Sequence, residues 1–304
     1  MPDNKVIEIN HVSRRFGAIQ AVDDVSLNIV EGETLGLIGH NGAGKSTLFK
    51  MMLGLIPPTS GSIHIQGTPV RGRAFRELRR RIGYLPENLA FYDNLSGLET
   101  LQFFASLKGV ADSGCLPLLH QVGLSHAIDR RVDGYSKGMR QRLGFAQALL
   151  GNPRFLFLDE PTNGLDPEGI REFYRQLREL NERGVTVVIT SHILAEIQER
   201  VTRLAVMRTG KLQALGTVQQ LREEVDLPLT IRLTLQSSSQ VLDDVLASAD
   251  IESLEVKEQT AVVRCHRAQK MDILRRINTL GDGVLDLDVL EPSLEDVFLG
   301  YAHT

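Results

Sequence analysis

Residues 39–47 constrain the fold and the chemistry of this chain more than any other segment. They read Gly-His-Asn-Gly-Ala-Gly-Lys-Ser-Thr, which fits the P-loop pattern of one glycine, four residues and Gly-Lys-Ser. The short apolar segment 34–38 before them is predicted to be a strand, and residues 48–53 after them a helix. Glycines let successive backbone N–H groups turn toward one anion, and the helix N-terminus adds its dipole. The sequence therefore predicts a nucleoside triphosphate site where a strand meets a helix.

Each residue type in this segment has an expected role. Lys45 is expected to reach the β- and γ-phosphates, and the Ser46 hydroxyl to bind Mg²⁺. The other residues expected to surround the phosphates are Gly39, His40, Asn41, Gly42, Ala43, Gly44 and Thr47.

Composition adds only broad limits. The chain has 304 residues, enough for one large domain and a small one, and a net charge of −4. That charge gives no general attraction to nucleic acid, so we expect no direct nucleic-acid partner. One locally basic run is predicted to be a solvated helix face. Its residues are Arg71, Arg73, Arg76, Arg79, Arg80 and Arg81.

The cysteines and the hydropathy indicate where the chain works. Cys115 and Cys265 form no C-x-x-C pair, which suits a reducing compartment. No apolar run reaches the roughly 18 residues of a membrane span, and residues 1–5 do not read as a signal peptide. We expect a cytoplasmic protein, with any membrane contact made through a partner.

Strands alternate with helices along most of the chain, which predicts an α/β fold. Several predicted strands are apolar throughout, which favours a mostly parallel sheet covered on both faces. These strands lie at 6–10, 25–29, 34–38, 63–65, 155–158 and 185–189, with a helical subdomain at about 88–150. After residue 225 the order βαββαβ predicts a small α+β domain of the ferredoxin-like plan. We therefore expect one domain at 1–225 and a second at 226–304.

Acidic and imidazole side chains follow the predicted strands downstream of the P-loop. Asp159 ends the apolar run 155–158, where a carboxylate can hold the Mg²⁺ that Ser46 binds. Glu160 follows and points the other way, so we expect it to polarise water for attack on the γ-phosphate. His192 stands just past the next strand, within expected reach of the γ-phosphate. We predict Glu160, His192 and Lys45 to be the catalytic residues.

A second phosphate-binding segment is predicted at residues 135–142, where small residues begin a helix. The P-loop already supplies one complete phosphate site within the chain. A second site on a different helix is most naturally used by another copy of the protein.

Taken together, these motifs resemble the ATP-binding subunits of ABC transporters over roughly residues 6–225. Residues 39–47 match the Walker A motif, 135–139 the ABC signature, 155–160 Walker B and 164–166 the D-loop. His192 matches the switch histidine of that family, and Phe16 the aromatic residue that stacks on adenine. The resemblance implies an ABC-type P-loop fold with antiparallel edge strands, and ATP and Mg²⁺ as ligands.

The same resemblance implies how the subunit works. It implies a head-to-tail homodimer in which each ATP lies between one P-loop and the other subunit's Ser136 and Gly138, with Asp166 of the D-loop nearby. Closure on ATP and opening after hydrolysis would drive a separate integral membrane permease from the inner face of the membrane.

Three positions depart from the family's usual residues. Lys137 stands where the family has glycine, and Met139 where it has glutamine, but Ser136 and Gly138 are kept. Glu87 stands where the family has glutamine. A carboxylate also ligates Mg²⁺, so our hypothesis is that Glu87 joins the metal site and links it to the partner contact.

The partner and the cargo are less constrained. In this family the region corresponding to 87–96 receives a helix of the permease, and here it contains the aromatic anchors Phe91 and Tyr92. The small C-terminal domain resembles those of bacterial exporter-type systems. Residues 91–97 are also similar to the ATPase of the NosDFY transporter, which serves copper-site maturation of nitrous oxide reductase, and this similarity implies a periplasmic accessory protein.

Two other classes stay open at this point. A non-transport ABC-type ATPase would act on nucleic acid or ribosomes, but such chains usually carry a coiled-coil insertion or tandem ATPase domains. A soluble P-loop kinase would leave the segment at Ser136 and His192 without a role.

Overall fold

The computed structural model describes residues 4–191, 197–198, 200–225, 227–236 and 240–292. His192 lies outside these residues. By its internal contacts the chain divides into two units, residues 1–215 and residues 216–304. The domain boundary predicted at 225/226 stays a prediction.

The first unit begins with an antiparallel sheet of four strands in the order β2-β1-β4-β5. Strands β1 and β2 are longer than predicted. The polar residues after Asn10 continue the pairing of the two strands as far as the turn at Gly17, with several shifts in register. The strands are β1 (Lys5–Phe16), β2 (Ile19–Val30), β4 (Ser60–Ile65) and β5 (Thr68–Pro69).

A second sheet of six strands carries the C-terminal ends at which sites form in α/β folds. Its order is β10-β9-β3-β8-β7-β6, and the pairs β9–β3, β3–β8, β8–β7 and β7–β6 are all parallel, as predicted. The strands are β3 (Thr34–Ile38), β6 (Ile82–Leu85), β7 (Phe155–Asp159), β8 (Thr186–Ser191), β9 (Arg203–Arg208) and β10 (Lys211–Gly216).

Helices cover these sheets with their apolar faces. The helix after β3 buries Leu48 and Phe49, and the Phe49 ring meets Phe157 of β7 edge to face at 5.4 Å. Burying each of these side chains stabilises the fold by about 2 kcal/mol. The helices of this unit are α1 (Lys45–Met52), α2 (Gly72–Leu78), α3 (Gly97–Lys108), α4 (Cys115–Gln121), α5 (Lys137–Leu149) and α6 (Pro167–Glu182).

Helix α3 shows why the helical segment starts and stops where it does. The Ser96 hydroxyl accepts from the Glu99 N–H at 3.2 Å, and the Glu99 carboxylate accepts from the Ser96 N–H at 2.8 Å. This reciprocal cap satisfies two otherwise free donors at the helix start. Gly109 ends the helix in a left-handed conformation with φ 70°.

The second unit has its own core. Its described elements are α7 (Val218–Val225), β11 (Leu229–Leu235), α8 (Gln240–Leu246), β12 (Ser253–Lys257), β13 (Thr260–Cys265), α9 (Lys270–Asn278) and β14 (Val284–Leu290). From β11 to β14 they follow the predicted βαββαβ order, and the sheet order is β12-β13-β11-β14. Alternate residues of β11, such as Ile231 and Leu233, pack against Ile273 and Ile277 of α9 in this core.

Lys108 ties the end of α3 to the sheet of the first unit. Its ammonium donates to the Ile82 carbonyl at 3.1 Å and to the Leu150 carbonyl at 2.7 Å. Burial lowers the pKa of Lys108 from 10.5 to about 8. The folded chain therefore releases this proton near pH 8, whereas the unfolded chain keeps it to about pH 10.5.

We expect the Lys108 amine to make the free energy of unfolding rise between pH 8 and pH 10.5. The sign is positive because the unfolded chain binds one more proton than the folded chain in this interval. In urea unfolding of the parent and of Lys108→Met, the parent should gain stability over the variant as the pH rises. The exposed Lys5→Met serves as the control and should follow the parent. Parallel pH profiles for the parent and Lys108→Met would contradict the prediction.

Candidate nucleotide-binding site

Close backbone approach shapes the loop between β3 and α1. A Cβ atom at Gly39 would lie 2.4 Å from the Met207 carbonyl oxygen. Gly44 has φ 101°, and a Cβ there would lie 2.5 Å from the Ala21 carbonyl oxygen. Glycine is therefore required at both positions, and the loop leads directly into α1 at Lys45, three residues earlier than the sequence predicted.

The ammonium of Lys45 lies inside this loop. It is buried and donates to the carbonyl oxygens of Gly39 and His40, the latter at 3.2 Å. Burial lowers the pKa of Lys45, and the negative charges of Glu160, Asp159 and Glu87 act against that shift. A phosphate oxygen is a stronger acceptor than a carbonyl, so this ammonium fits a nucleoside triphosphate.

A pocket of about 400 Å³ surrounds the loop, within the range of small-ligand sites. Its walls come from the P-loop, the turn into β2 and the C-terminal ends of the parallel strands. The lining residues are Ile19, Gln20, Ala21, Asn41, Gly42, Ala43, Gly44, Lys45, Ser46, Thr47, Glu87, Asp159, Glu160 and Thr209.

Strand register brings the two consecutive acidic residues to this pocket. Asp159 is the last residue of β7 and pairs with Thr190 of β8, while Ile38 at the end of β3 pairs with Ser191 of β8. Glu160 has φ 48°, a left-handed conformation that is uncommon for a residue with a side chain. The backbone therefore turns sharply between the two carboxylates.

The residues predicted to bind Mg²⁺ all line this pocket: Ser46, Asp159 and Glu87. Within the described ranges, no group of three or more His, Cys, Asp or Glu side chains can hold a metal ion by itself. One hydroxyl and two carboxylates are hard oxygen ligands of the kind Mg²⁺ prefers, with waters and phosphate oxygens completing its shell. These side chains fit a magnesium ion that arrives with the nucleotide.

Tyr84 lies behind the acidic residues, and the sequence reasoning missed it. Burial, together with the charges of Asp159 and Glu87, raises the pKa of Tyr84 to about 12. Its ring lies 6.4 Å from that of Phe49. Tyr84 is thus a neutral phenol at physiological pH. Its position on β6, two residues before Pro86, is the sequence feature that could have indicated a place beside the site.

Six of the predicted nucleotide-binding residues do not line the pocket: Phe16, Gly39, His40, Ser136, Gly138 and Asp166. Ser136 caps α5, and its hydroxyl accepts from the Met139 N–H at 3.2 Å. Gly138 packs against the D-loop, because a Cβ there would lie 3.0 Å from the Gly164 carbonyl oxygen. Asp166 caps α6 and accepts from the Gly169 N–H at 2.9 Å. The signature segment and the D-loop therefore form one surface apart from the pocket.

Phe16 also does not line the pocket. Its ring is 43% exposed, and the Arg14 guanidinium lies 4.5 Å from the ring centroid. Ile19, Gln20 and Ala21, which the sequence reasoning did not single out, line the wall next to this turn.

Comparison with known proteins identifies the family. The family described as ABC transporter matches residues 22–163. The bacitracin transport ATP-binding protein BcrA of Bacillus licheniformis is 37% identical over 297 residues, which span 97% of this chain and 96% of that protein. The chain belongs to the ATP-binding subunits of ABC transporters. The lantibiotic transport ATP-binding protein SrtF of Streptococcus pyogenes is 40% identical over 207 residues, or 68% of this chain and 89% of that protein.

Solved structures agree with this assignment. A dimeric ATP-binding cassette in a post-hydrolysis state, bound to ADP and Pi, is 26% identical and matches with a TM-score of 0.65. The match covers 70% of this chain and 98% of that one. The subunit binds ATP and is an ATP hydrolase, which excludes the kinase alternative. None of the helices in the described ranges combines the length and apolar content of a membrane span.

Glu87 gives a test of the charge balance in the pocket. It is exposed at the pocket wall and adds a third carboxylate facing Lys45. We expect Glu87→Gln to bind ATP about fivefold more tightly without Mg²⁺, because one like charge beside the phosphates is removed. The same variant should need more Mg²⁺ for full ATPase activity. Fluorescent-nucleotide titration and Mg²⁺ titration measure the two effects.

The control for this experiment is Glu77→Gln on α2, an exposed carboxylate that does not line the pocket. It should bind ATP as the parent does. Equal Mg²⁺-free affinities for the parent and Glu87→Gln would show that the Glu87 charge does not act on the nucleotide.

Proposed function

We propose that this subunit hydrolyses ATP as half of a head-to-tail homodimer and thereby powers a separate membrane permease. The proposal is supported by one observation: the P-loop lines the pocket, whereas the segment at the start of α5, which we predict to be a second phosphate-binding segment, does not. A second copy in the opposite orientation would supply Ser136, Gly138 and Asp166 to the open side of each pocket. The matched cassette bound to ADP and Pi is itself dimeric, which supports a dimer here.

Within each pocket we assign the chemistry as follows. Lys45 holds the β- and γ-phosphates, while Ser46, Asp159 and Glu87 hold Mg²⁺, which offsets phosphate charge. Glu160 orients the attacking water and accepts its proton. His192 and Phe16 are assigned to the γ-phosphate and the adenine by their match to the family motifs alone.

We expect Glu160→Gln to bind ATP like the parent but to hydrolyse it at least about a hundredfold more slowly, because a general base is lost. The uncleaved ATP should hold two copies together, so the variant should become dimeric when Mg²⁺ and ATP are added. Light scattering after size-exclusion chromatography measures the mass, and phosphate release measures turnover.

Two controls accompany this experiment. Glu182→Gln, at the exposed end of α6, should hydrolyse ATP like the parent. Adding Ser136→Asp to Glu160→Gln should abolish the dimer, because aspartate can still cap α5 while its negative charge would face the partner's phosphates. A Glu160→Gln protein that turns over at the parent rate would remove Glu160 as the base, and one that stays monomeric with bound ATP would contradict the dimer.

The permease is assigned to an aromatic patch made of Phe91, Tyr92, Phe103 and Phe104. Edge-to-face contacts join these rings, with centroids 5.4 Å apart for Tyr92 and Phe103 and 6.1 Å for Phe91 and Phe104. Tyr92 is 59% exposed and Phe103 36%. Exposed aromatic side chains of this kind are suitable anchors for a partner helix.

Two contacts support a link from this patch to the nucleotide. Glu87 both lines the pocket and begins the segment 87–96 that leads into the patch. Asp93, inside that segment, pairs with Arg140 of α5 at 2.8 Å, and α5 begins at the signature segment. A permease that moves this segment would therefore act on both phosphate-binding surfaces.

We further propose that the transporter handles cargo of the bacitracin and lantibiotic type and moves it outward. The support is that BcrA and SrtF are transport proteins for these compounds and, for BcrA, that the match runs along nearly the whole chain. These relatives give no support to the copper-maturation role or to a periplasmic accessory protein. They also disfavour the alternative of a non-transport ATPase, since both are named for transport.

We expect Tyr92→Arg to reduce recovery of the permease with the tagged subunit at least about tenfold, because a charge would be buried in an apolar contact. Resistance to bacitracin in a sensitive host that expresses both proteins should fall with it. Leu116→Ala, an exposed leucine of α4, is the matched control and should keep both properties. Full recovery with Tyr92→Arg would place the permease elsewhere, and reduced recovery without any effect on resistance would contradict the cargo.

A further inference from the structure

Thr190 makes an unusual pair of hydrogen bonds beside the nucleotide pocket. It is fully buried near the end of β8. Its hydroxyl donates to Oδ1 of Asp159 at 2.6 Å and accepts from the backbone N–H of Glu160 at 2.9 Å. One side chain thus holds two consecutive residues to which we assign different roles.

The bond to Asp159 restricts that carboxylate. At 2.6 Å the hydrogen bond from the Thr190 hydroxyl to Oδ1 of Asp159 is short. The bond uses Oδ1, so Thr190 restricts the rotamer of a carboxylate that lines the pocket.

The bond to Glu160 restricts the backbone. Glu160 lies just beyond the paired residues of β7, and its φ of 48° is a conformation that costs energy for a residue with a side chain. The N–H that Thr190 accepts belongs to the peptide that joins the two acidic residues. Holding that peptide sets the direction in which the Glu160 side chain leaves the backbone.

We propose that Thr190 is a positioning residue that sets Asp159 for Mg²⁺ and Glu160 for the attacking water at the same time. This proposal rests on the proposed function, because it concerns how the same site reaches its working geometry. Valine at this position would keep the shape but would remove the hydroxyl from Asp159 Oδ1 and from the Glu160 N–H. Serine would keep the hydroxyl.

The chain offers a matched control on the same strand. Thr186 lies four residues earlier on β8, is also buried, and accepts from the Gly32 N–H at 3.0 Å. It pairs with Phe155 at the start of β7, whereas Thr190 pairs with Asp159 at its end. Thr186→Val therefore removes a hydrogen bond to a buried threonine of the same strand, at the end away from the pocket.

The test compares the full-length parent with Thr190→Val, Thr190→Ser and Thr186→Val. Three properties are measured for each: thermal unfolding, the affinity for a fluorescent ATP analogue with and without Mg²⁺, and kcat and KM for ATP. For Thr190→Val we expect an unchanged Mg²⁺-free affinity, a loss of about 10- to 100-fold in kcat, and a weaker effect of Mg²⁺ on binding, which raises the KM for ATP in the presence of Mg²⁺. Thr190→Ser should restore kcat to within about threefold of the parent.

Thr186→Val should lower the unfolding temperature while keeping the kcat of the parent. The proposal is overturned if Thr190→Val keeps the parent's kcat and Mg²⁺ response, or if Thr186→Val loses kcat to the same extent. A parent that binds Mg²⁺-ATP without hydrolysing it would contradict the proposed function. The Mg²⁺ response of binding in Thr190→Val would still decide the role of Thr190.

Discussion

The buried ammonium of Lys45 is the charge on which the nucleotide site depends. Three acidic side chains face it, and they come from the end of β7, the residue after it and the segment after β6. Without that cation their like charges would repel one another in a partly desolvated pocket. Close approach of other backbone to Gly39 and Gly44 holds the loop that carries the lysine. The backbone of the loop thus positions the lysine, and the charge of the lysine offsets the three carboxylates.

The sequence predicted the parts of the site that depend on local spacing. The P-loop, the strand that ends at Asp159 and the helix that begins after Ser136 lie where their patterns place them, because each is formed by a short contiguous segment. What it missed depends on contacts between distant segments. From the sequence, Thr190 is indistinguishable from the other residues of an apolar strand. The register of β7 and β8 places its hydroxyl beside Asp159. Sequence spacing likewise could not predict that the Arg14 guanidinium lies over Phe16, or that β1 pairs with β2 over such a length.

The surface formed by the signature segment and the D-loop differs from the pocket in how its polar groups are satisfied. Its residues cap helices, so in the isolated subunit they already satisfy their own backbone. Such groups cost little when no ligand is present, whereas an unpartnered buried group would be expensive. The backbone at Gly138 lies close to the Gly164 carbonyl, so the signature segment and the D-loop are neighbours on this surface. Such a surface can therefore remain without a partner and not destabilise the subunit.

The hairpin of β1 and β2 contributes no acidic or nucleophilic residue to the pocket, but its backbone contacts the phosphate loop. Its Ala21 carbonyl lies against Gly44, its Asp23 N–H donates to the Gly210 carbonyl at 2.8 Å, and the Gly210 N–H donates to the Ala43 carbonyl at 3.0 Å. The backbone of the phosphate loop is therefore contacted by two segments of chain that lie far from it in sequence. The match to the family begins at residue 22, in the middle of β2 and just after Ala21. The part of the chain that forms the nucleotide site is accordingly larger than its motifs, because it includes a hairpin whose backbone contacts the phosphate loop.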